Sequence, residues 1–160
     1  MGFGTGHHPT TRLSLWALQQ LDLHEQTLID VGTGSGVLGL AAAYLGADRV
    51  VAIDNDSDAI LAAKKNLALT KIFKVTLSNV ELKNASFFPQ DFLISNLNAD
   101  LLIQESKKIE TLGKQKLILS GFTVSEEARI LSAFPSWKLR HRIREDEWVG
   151  IVLARNFQEP

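Results

Sequence analysis

The chain has 160 residues, 45% of them hydrophobic and 22% charged, which suits one globular domain with a full core. A net charge of −1 gives no global attraction to nucleic acid, and the absence of cysteine excludes disulfides, thiolate nucleophiles and thiolate metal sites. No run approaches the ~18 apolar residues of a membrane span and no basic-then-apolar leader opens the chain, so a soluble cytoplasmic protein is expected.

In chain order, Pro9-Thr10-Thr11 opens a helix whose Leu13, Trp16, Ala17 and Leu21 recur at helical spacing on its buried side. Residues 27–31 read as a strand, and an apolar helix over 36–45 follows, ending before Gly46. A second strand spans 49–53. Ser57 is placed to cap a helix reaching Leu69, with Asp58 favourable in its first turn. Phe73 to Leu77 reads as strand three and Asp91 to Asn96 as strand four. A helix over 99–111 leads to strand five, Lys116 to Ser120, closed by Gly121. Val124 to Phe134 is helical, and 137–144 with 147–155 form an antiparallel hairpin turning at Glu145-Asp146. Strands that alternate with helices predict a mostly parallel α/β sheet with helices on both faces.

The segment Asp30-Val31-Gly32-Thr33-Gly34-Ser35-Gly36 carries the most chemistry. It reads as the end of a buried strand, a glycine turn and the start of a helix. Glycines let the backbone approach a ligand closely, and the new helix points unpaired N–H groups at it. Asp54 ends the second strand, where a nucleotide-binding sheet holds ribose hydroxyls. Gly34-Ser35-Gly36-Val37-Leu38-Gly39 also matches the dinucleotide pattern G-x-G-x-x-G. The register favours S-adenosylmethionine (SAM) instead, because the strand ends near Asp30 and the turn begins at Gly32. Asp30 can face the cationic amino-acid moiety of such a cofactor, or merely solvate a strand end; beside a pyrophosphate it would repel.

The closing hairpin points the same way, since dinucleotide folds continue with parallel crossovers. Within it Lys138, Arg140, Arg142 and Arg144 alternate with Leu139, His141 and Ile143. That stripe could meet an acidic partner such as RNA. We read it as the solvated face of a half-buried edge strand, and expect no direct nucleic-acid binding.

Two further blocks carry a family resemblance: Phe3-Gly4-Thr5-Gly6-His7-His8-Pro9-Thr10-Thr11 and Ile94-Ser95-Asn96-Leu97-Asn98-Ala99-Asp100-Leu101-Leu102. With the glycine turn and Glu147-Trp148-Val149, and in the same order, they resemble the PrmA-type methyltransferases, which methylate protein eleven of the large ribosomal subunit. The resemblance implies a Rossmann-like class I methyltransferase fold with a seven-stranded sheet. It implies SAM contacts at Thr11, Gly32, Asp54 and Asn96, to which the glycine-turn reading adds Asp30 and Gly34. It also implies that Asn96 sits beside the sulfonium methyl, where its carboxamide oxygen can accept a hydrogen bond from a neutral acceptor amine. The expected acceptor is a protein, ribosomal by the resemblance.

His7 and His8 are the only ionisable candidates for a base in the opening loop, and loop shaping is the plainer role for them. His24 and His141 have no motif around them, so no metal site is expected. Trp148 could wall an acceptor pocket or belong to the core. The chain reads as one domain, 1–160, without the family's N-terminal recognition domain. That makes it either a catalytic fragment or a short relative with another acceptor. The loop after strand four lacks the Asn-Pro-Pro-Tyr of many amide and adenine methyltransferases. A nicotinamide-dependent oxidoreductase and a non-catalytic nucleotide-binding module remain the alternatives of another class.

Overall fold

A computed structural model of the chain describes residues 7–156. The sheet has seven strands: β1 (Thr27–Val31), β2 (Arg49–Asp54), β3 (Val75–Asn79), β4 (Gln90–Asn96), β5 (Gly113–Thr123), β6 (Trp137–Glu145) and β7 (Trp148–Arg155). Their spatial order is β3-β2-β1-β4-β5-β7-β6, parallel through β5 and antiparallel from β7 onward. The order reverses between β1 and β4, and ligands of open parallel sheets bind at the strand ends beside such a switch.

Side chains alternate across each strand, so the central strands feed two cores. Ile29, Val31, Ile53, Leu93, Leu117 and Leu119 pack under α4 (Ala99–Gln104), α5 (Ser106–Leu112) and α6 (Glu127–Ala133). Leu28, Val50, Phe92, Ile94 and Ile118 pack under α1 (Pro9–Gln19) and α2 (Val37–Tyr44). Between β2 and β3 runs α3 (Ser57–Ala68). Each fully buried Leu or Ile contributes about 1.5–3 kcal/mol, and the central strands carry such residues on both faces.

This is the α/β architecture expected from the sequence, with local differences. The cap of α3 is Asp56, whose side chain accepts from the Asp58 N–H, and Ser57 is already helical. Trp16 is 44% exposed, because α1 instead buries Leu13, Ser14, Ala17 and Leu18. β3 lies two residues later than expected, pairing Val75 with Val50, which leaves Phe73 outside the sheet and exposed. The expected helix over 99–111 is two helices meeting at Glu105. Residues 124–126 form a 3₁₀ turn before α6, fastened by Glu126 accepting from the Thr123 N–H and hydroxyl.

β5 is not closed by Gly121. The strand continues to Thr123, with Gly121 as an extra residue in a bulge opposite β7. The hairpin turn falls at Asp146-Glu147, since Glu145 still pairs with Trp148. A second shift between Leu139 and His141 interrupts the basic alternation at Arg140. Bulges bend and twist a strand locally, so the cations of β6 are divided between the two sheet faces. Arg142 is ion-paired to Glu127 at 2.7 Å, and Arg144 donates to the Asp146 carbonyl at 2.6 Å.

Candidate functional site

Strand periodicity explains what gathers at the carboxyl ends of the strands. Asp30 follows Leu28 on the α1/α2 side, Asn96 follows Ile94 and Ser120 follows Ile118. The same faces that are apolar in mid-sheet therefore turn polar at one end, beneath the starts of α1 and α2.

The glycine turn is built as its sequence demands. Gly32, Gly34 and Gly36 all have positive φ (74°, 58° and 86°), a region costly for side chains. The N–H groups of Gly32 and Thr33 both donate to the Ile53 carbonyl at 2.9 Å, which docks the turn onto β2. A Cβ on Gly32 would lie 2.6 Å from Leu97 Cδ2, so the bare Cα also seats that leucine.

Asp30 lies beneath this turn. It is 1% exposed, and one carboxylate oxygen accepts from the Thr33 hydroxyl at 2.6 Å and from the Gly39 N–H at 2.9 Å. The other oxygen is buried without a partner. Burial pushes its pKa up to about 6; the two hydrogen bonds pull it down, and the nearby Asp54 charge adds to the rise. Placed so, Asp30 ties the turn together from below and does not line the cavity.

Asp54 is held from the opposite side. Its oxygens accept from the Gly34 N–H and the Asp56 N–H, each at 2.9 Å. Each carboxylate oxygen keeps a further lone pair for another donor. Asn79 braces the strand tip by donating to the Asp54 carbonyl at 2.9 Å.

A cavity of about 750 Å³ opens above these tips, within the range of sites that enclose small ligands. Gly32, Gly34, Asp54 and Asn96 all line it. Its apolar walls include Ile53, Val80, Leu82, Leu97 and Leu101, while Asp56, Glu81, Lys83 and Glu105 supply charge. Lys83 pairs with Glu81 at 3.0 Å. The residues after β3, with Gln104 and Glu105, were not singled out from the sequence, whereas Leu97, Asn98 and Leu101 belong to the block after strand four. The first group follows a β3 that lies two residues beyond its expected place, although the position just past a third parallel strand is itself a usable signal.

Thr11 does not line the cavity but adjoins it through Asn96, whose Nδ2 donates to the Thr11 hydroxyl at 3.4 Å. The Asn96 carboxamide oxygen is buried without a partner. His8 caps α1 by accepting from the Thr10 N–H and packs edge-on against Trp148, ring centres 4.9 Å apart. Beside them Ser120 donates to the Thr10 carbonyl at 3.2 Å and touches the Ser14 hydroxyl. Arg12 is ion-paired with Glu145 at the hairpin and donates to the His7 carbonyl. The glycines at 4 and 6 lie outside the described residues. His24 and His141 are not drawn into the site, and among the described residues no cluster of His, Asp or Glu suits a metal ion.

A family model described as ribosomal protein L11 methyltransferase (PrmA) matches residues 1–156. The ribosomal protein L11 methyltransferase of Enterococcus faecalis is 37% identical over 164 residues, covering 99% of this chain and 52% of that protein. That of Lactobacillus gasseri is 31% identical over 159 residues, covering 97% and 50%. The chain thus spans about half the length of the curated relatives it matches. The crystal structure of ribosomal protein L11 methylase from Lactobacillus delbrueckii subsp. bulgaricus superposes with a TM-score of 0.86 at 28% identity, over 95% of this chain and 81% of that one. Magnesium protoporphyrin IX methyltransferase from Synechocystis PCC 6803, solved with bound SAM, gives 0.72 at 17% identity over 92% and 78%, a likeness of fold alone.

Proposed function

The chain belongs to the ribosomal protein L11 methyltransferase (PrmA) family, and from that premise we propose that it binds SAM in the strand-tip cavity and directs the methyl group to an amino nitrogen of a protein, a ribosomal protein first among candidates. The observation that carries the reading is one cavity uniting the glycine turn, Asp54 and Asn96. The residues fit the cofactor. Asp54 is already oriented by two backbone donors and retains lone pairs for a ribose diol. Apolar walls at Val80, Leu82, Leu97 and Leu101 suit a purine. The Asn96 oxygen has no partner and is buried against Gly121, so a turn of the carboxamide toward the cavity presents it to a donor.

Bound SAM supplies a sulfonium methyl that is electrophilic without further activation. The protein's work is then alignment. Holding an acceptor nitrogen in line replaces a bimolecular encounter by a positioned one, which supplies much of the rate. In this proposal Asn96 accepts a hydrogen bond from the acceptor amine, which must be neutral to attack, and Thr11 fixes the other end of the carboxamide. Desolvation of a lysine acceptor lowers its pKa toward the neutral form. Asp30 acts from beneath, by holding the turn, and meets the cofactor only through it. His8 and Trp148 flank the α1 start as an acceptor-side wall, with His8 a loop-shaping residue before it is a base.

Among the described residues no helix is long and apolar enough to cross a membrane, and a cytoplasmic location is part of the proposal. No nucleic-acid contact is needed for it. The proposal includes capture of the acceptor by a separate recognition domain, and the curated relatives are about twice as long as the matched region. Calorimetry with SAM and with NAD tests the cofactor: SAM should bind and NAD should not. A radiolabelled methyl-transfer assay on the free ribosomal protein, with and without a supplied recognition domain, tests the acceptor. Methylation should be slow or absent for the 160-residue chain alone, since a tether raises local acceptor concentration toward the millimolar range. NAD binding in place of SAM would overturn the reading.

A further inference from the structure

Gly121 does not line the cavity, yet its surroundings are tight. It is the extra residue of the β5 bulge, lying between the Ser120–Gly150 and Phe122–Val149 pairs, and its φ is +103°. A Cβ there would stand 2.2 Å from the Leu97 carbonyl oxygen, 2.7 Å from its carbon and 3.0 Å from the Asn96 carboxamide oxygen. Two of those three atoms are backbone and cannot swing aside as a side-chain tip can. Leu97 is confined on its other side as well, because its Cδ2 fills the space above Gly32. The two residues after the β4 core therefore run between two bare Cα positions, one in the glycine turn and one in β5.

We propose that Gly121 is a positioning residue of the methyl-transfer site, its left-handed bulge leaving the space in which the Asn96 carboxamide and the Leu97 carbonyl are held. This deepens the reading above and rests on it only for the catalytic consequence. The bulge acts on Asn96 from one side while the Thr11 hydroxyl acts from the other. It also re-phases Phe122 and Thr123 against β7, downstream of Ser120, which reaches the Thr10 carbonyl and the Ser14 hydroxyl at the base of the same helix. Any side chain at 121 pushes the Asn96-Leu97 segment toward Gly32 and misdirects the carboxamide.

Gly46 provides the control. Its φ is +112°, but a Cβ there meets nothing within 4 Å. Gly46→Ala therefore carries comparable backbone strain without the collision. The primary readout is the Asn96 side-chain amide pair in ¹⁵N NMR spectra of the full chain, assigned by its disappearance in Asn96→Ala. Gly121→Ala should shift that pair and Gly46→Ala should leave it in place, although both lower the melting temperature. With an accepted amine and saturating SAM, Gly121→Ala should reduce turnover roughly tenfold to a hundredfold, the scale of an ångström-level misplacement. SAM affinity should change by less than that.

If Gly121→Ala does not fold, the double variant Leu97→Ala/Gly121→Ala opens the Gly32 side for the displaced segment. It should fold and still show the moved Asn96 amide. An Asn96 amide unmoved in Gly121→Ala, or in the folded double variant, overturns the proposal. So does turnover in Gly121→Ala matching that in Gly46→Ala. The NMR comparison needs neither SAM nor acceptor, so failure of wild-type protein to bind SAM would count against the functional reading and leave the role of Gly121 to be decided by the amide shift.

Discussion

The two halves of the site are built differently. On the β1/β2 side the polar contacts are short-range or close to it: Thr33 to Asp30, Gly39 to Asp30 and Gly34 to Asp54 join residues 3, 9 and 20 apart. On the β4/β5 side they join distant segments: Asn96 to Thr11, Thr10 to Ser120 and Arg12 to Glu145, separated by 85, 110 and 133 residues. The first half is a compact motif that folds around its own backbone donors. The second exists only once α1, the end of β4, the β5 bulge and the hairpin have met. With the proposed roles, the β1/β2 half as cofactor side should tolerate change away from its motif, while the β4/β5 half as acceptor side should be sensitive to residues far from the chemistry.

The largest expected effect comes from the acceptor half. Asn96→Ala should lower turnover of an accepted amine about a hundredfold, with a smaller loss of SAM affinity. Steady-state assays at saturating SAM beside calorimetry measure both. Normal turnover in that variant would leave Asn96 as a strand-end residue and dissolve the contrast between the halves.

Asp30 probes the cofactor half through stability. Its folded pKa of about 6 lies above the ordinary aspartate value of 3.8 because burial disfavours the charge. Between those two values the folded protein holds the proton more tightly than the unfolded chain does. Stability from this group is therefore present in acid, declines as pH rises from about 4 to 6, and then levels off, a change of about 2–3 kcal/mol. Asp30→Asn should flatten that part of the profile, measured as urea midpoints from pH 4 to 7. An unchanged slope would place its origin in another group.

Asp54→Ala should cost about 1–3 kcal/mol of SAM binding by removing acceptors for the ribose and for two backbone donors. That is a dissociation constant weakened roughly tenfold to a hundredfold or more. Unaltered affinity in a folded variant would remove Asp54 from the site.

The smallest effect belongs to the exposed Arg12–Glu145 pair. The hydrogen bond from Arg12 lowers the Glu145 pKa, so its stabilisation is present at neutral pH and lost on acidification through the lowered value. Exposed pairs contribute little, so Glu145→Gln should barely move the melting temperature. If the pair aligns the hairpin with α1, acceptor KM should rise while SAM affinity stays constant. A large stability loss would make it a structural tie instead.

Much of this was legible in the chain itself. Seven strands, their alternation with helices, the reversed final strand and the glycine turn all follow from period-2 and helical patterning joined to turn chemistry. Gly32, Gly34 and Asp54 were legible because each stands at the carboxyl end of its strand or in the turn that follows, whereas Asn96 was pointed to by the family resemblance. Asp30 was legible as important but not as buried scaffold. Its place depends on the turn folding back so that Thr33 and Gly39 reach the same oxygen.

What the tertiary structure decided is mostly register and re-aiming. Whether Gly121 ends a strand or bulges within it depends on β7 pairing alongside, and no local pattern encodes a partner's register. The two-residue displacement of β3 has the same origin, since Val75 is chosen by its place against Val50 rather than by its own propensity. The break at Glu105, the exposure of Trp16 and the meeting of His8 with Trp148 likewise depend on what packs across from them. Short-range sequence determined the motif and the fold class through backbone geometry and hydrophobic period. The alignment of Asn96 between Thr11 and Gly121 came only from segments brought together across the whole sheet.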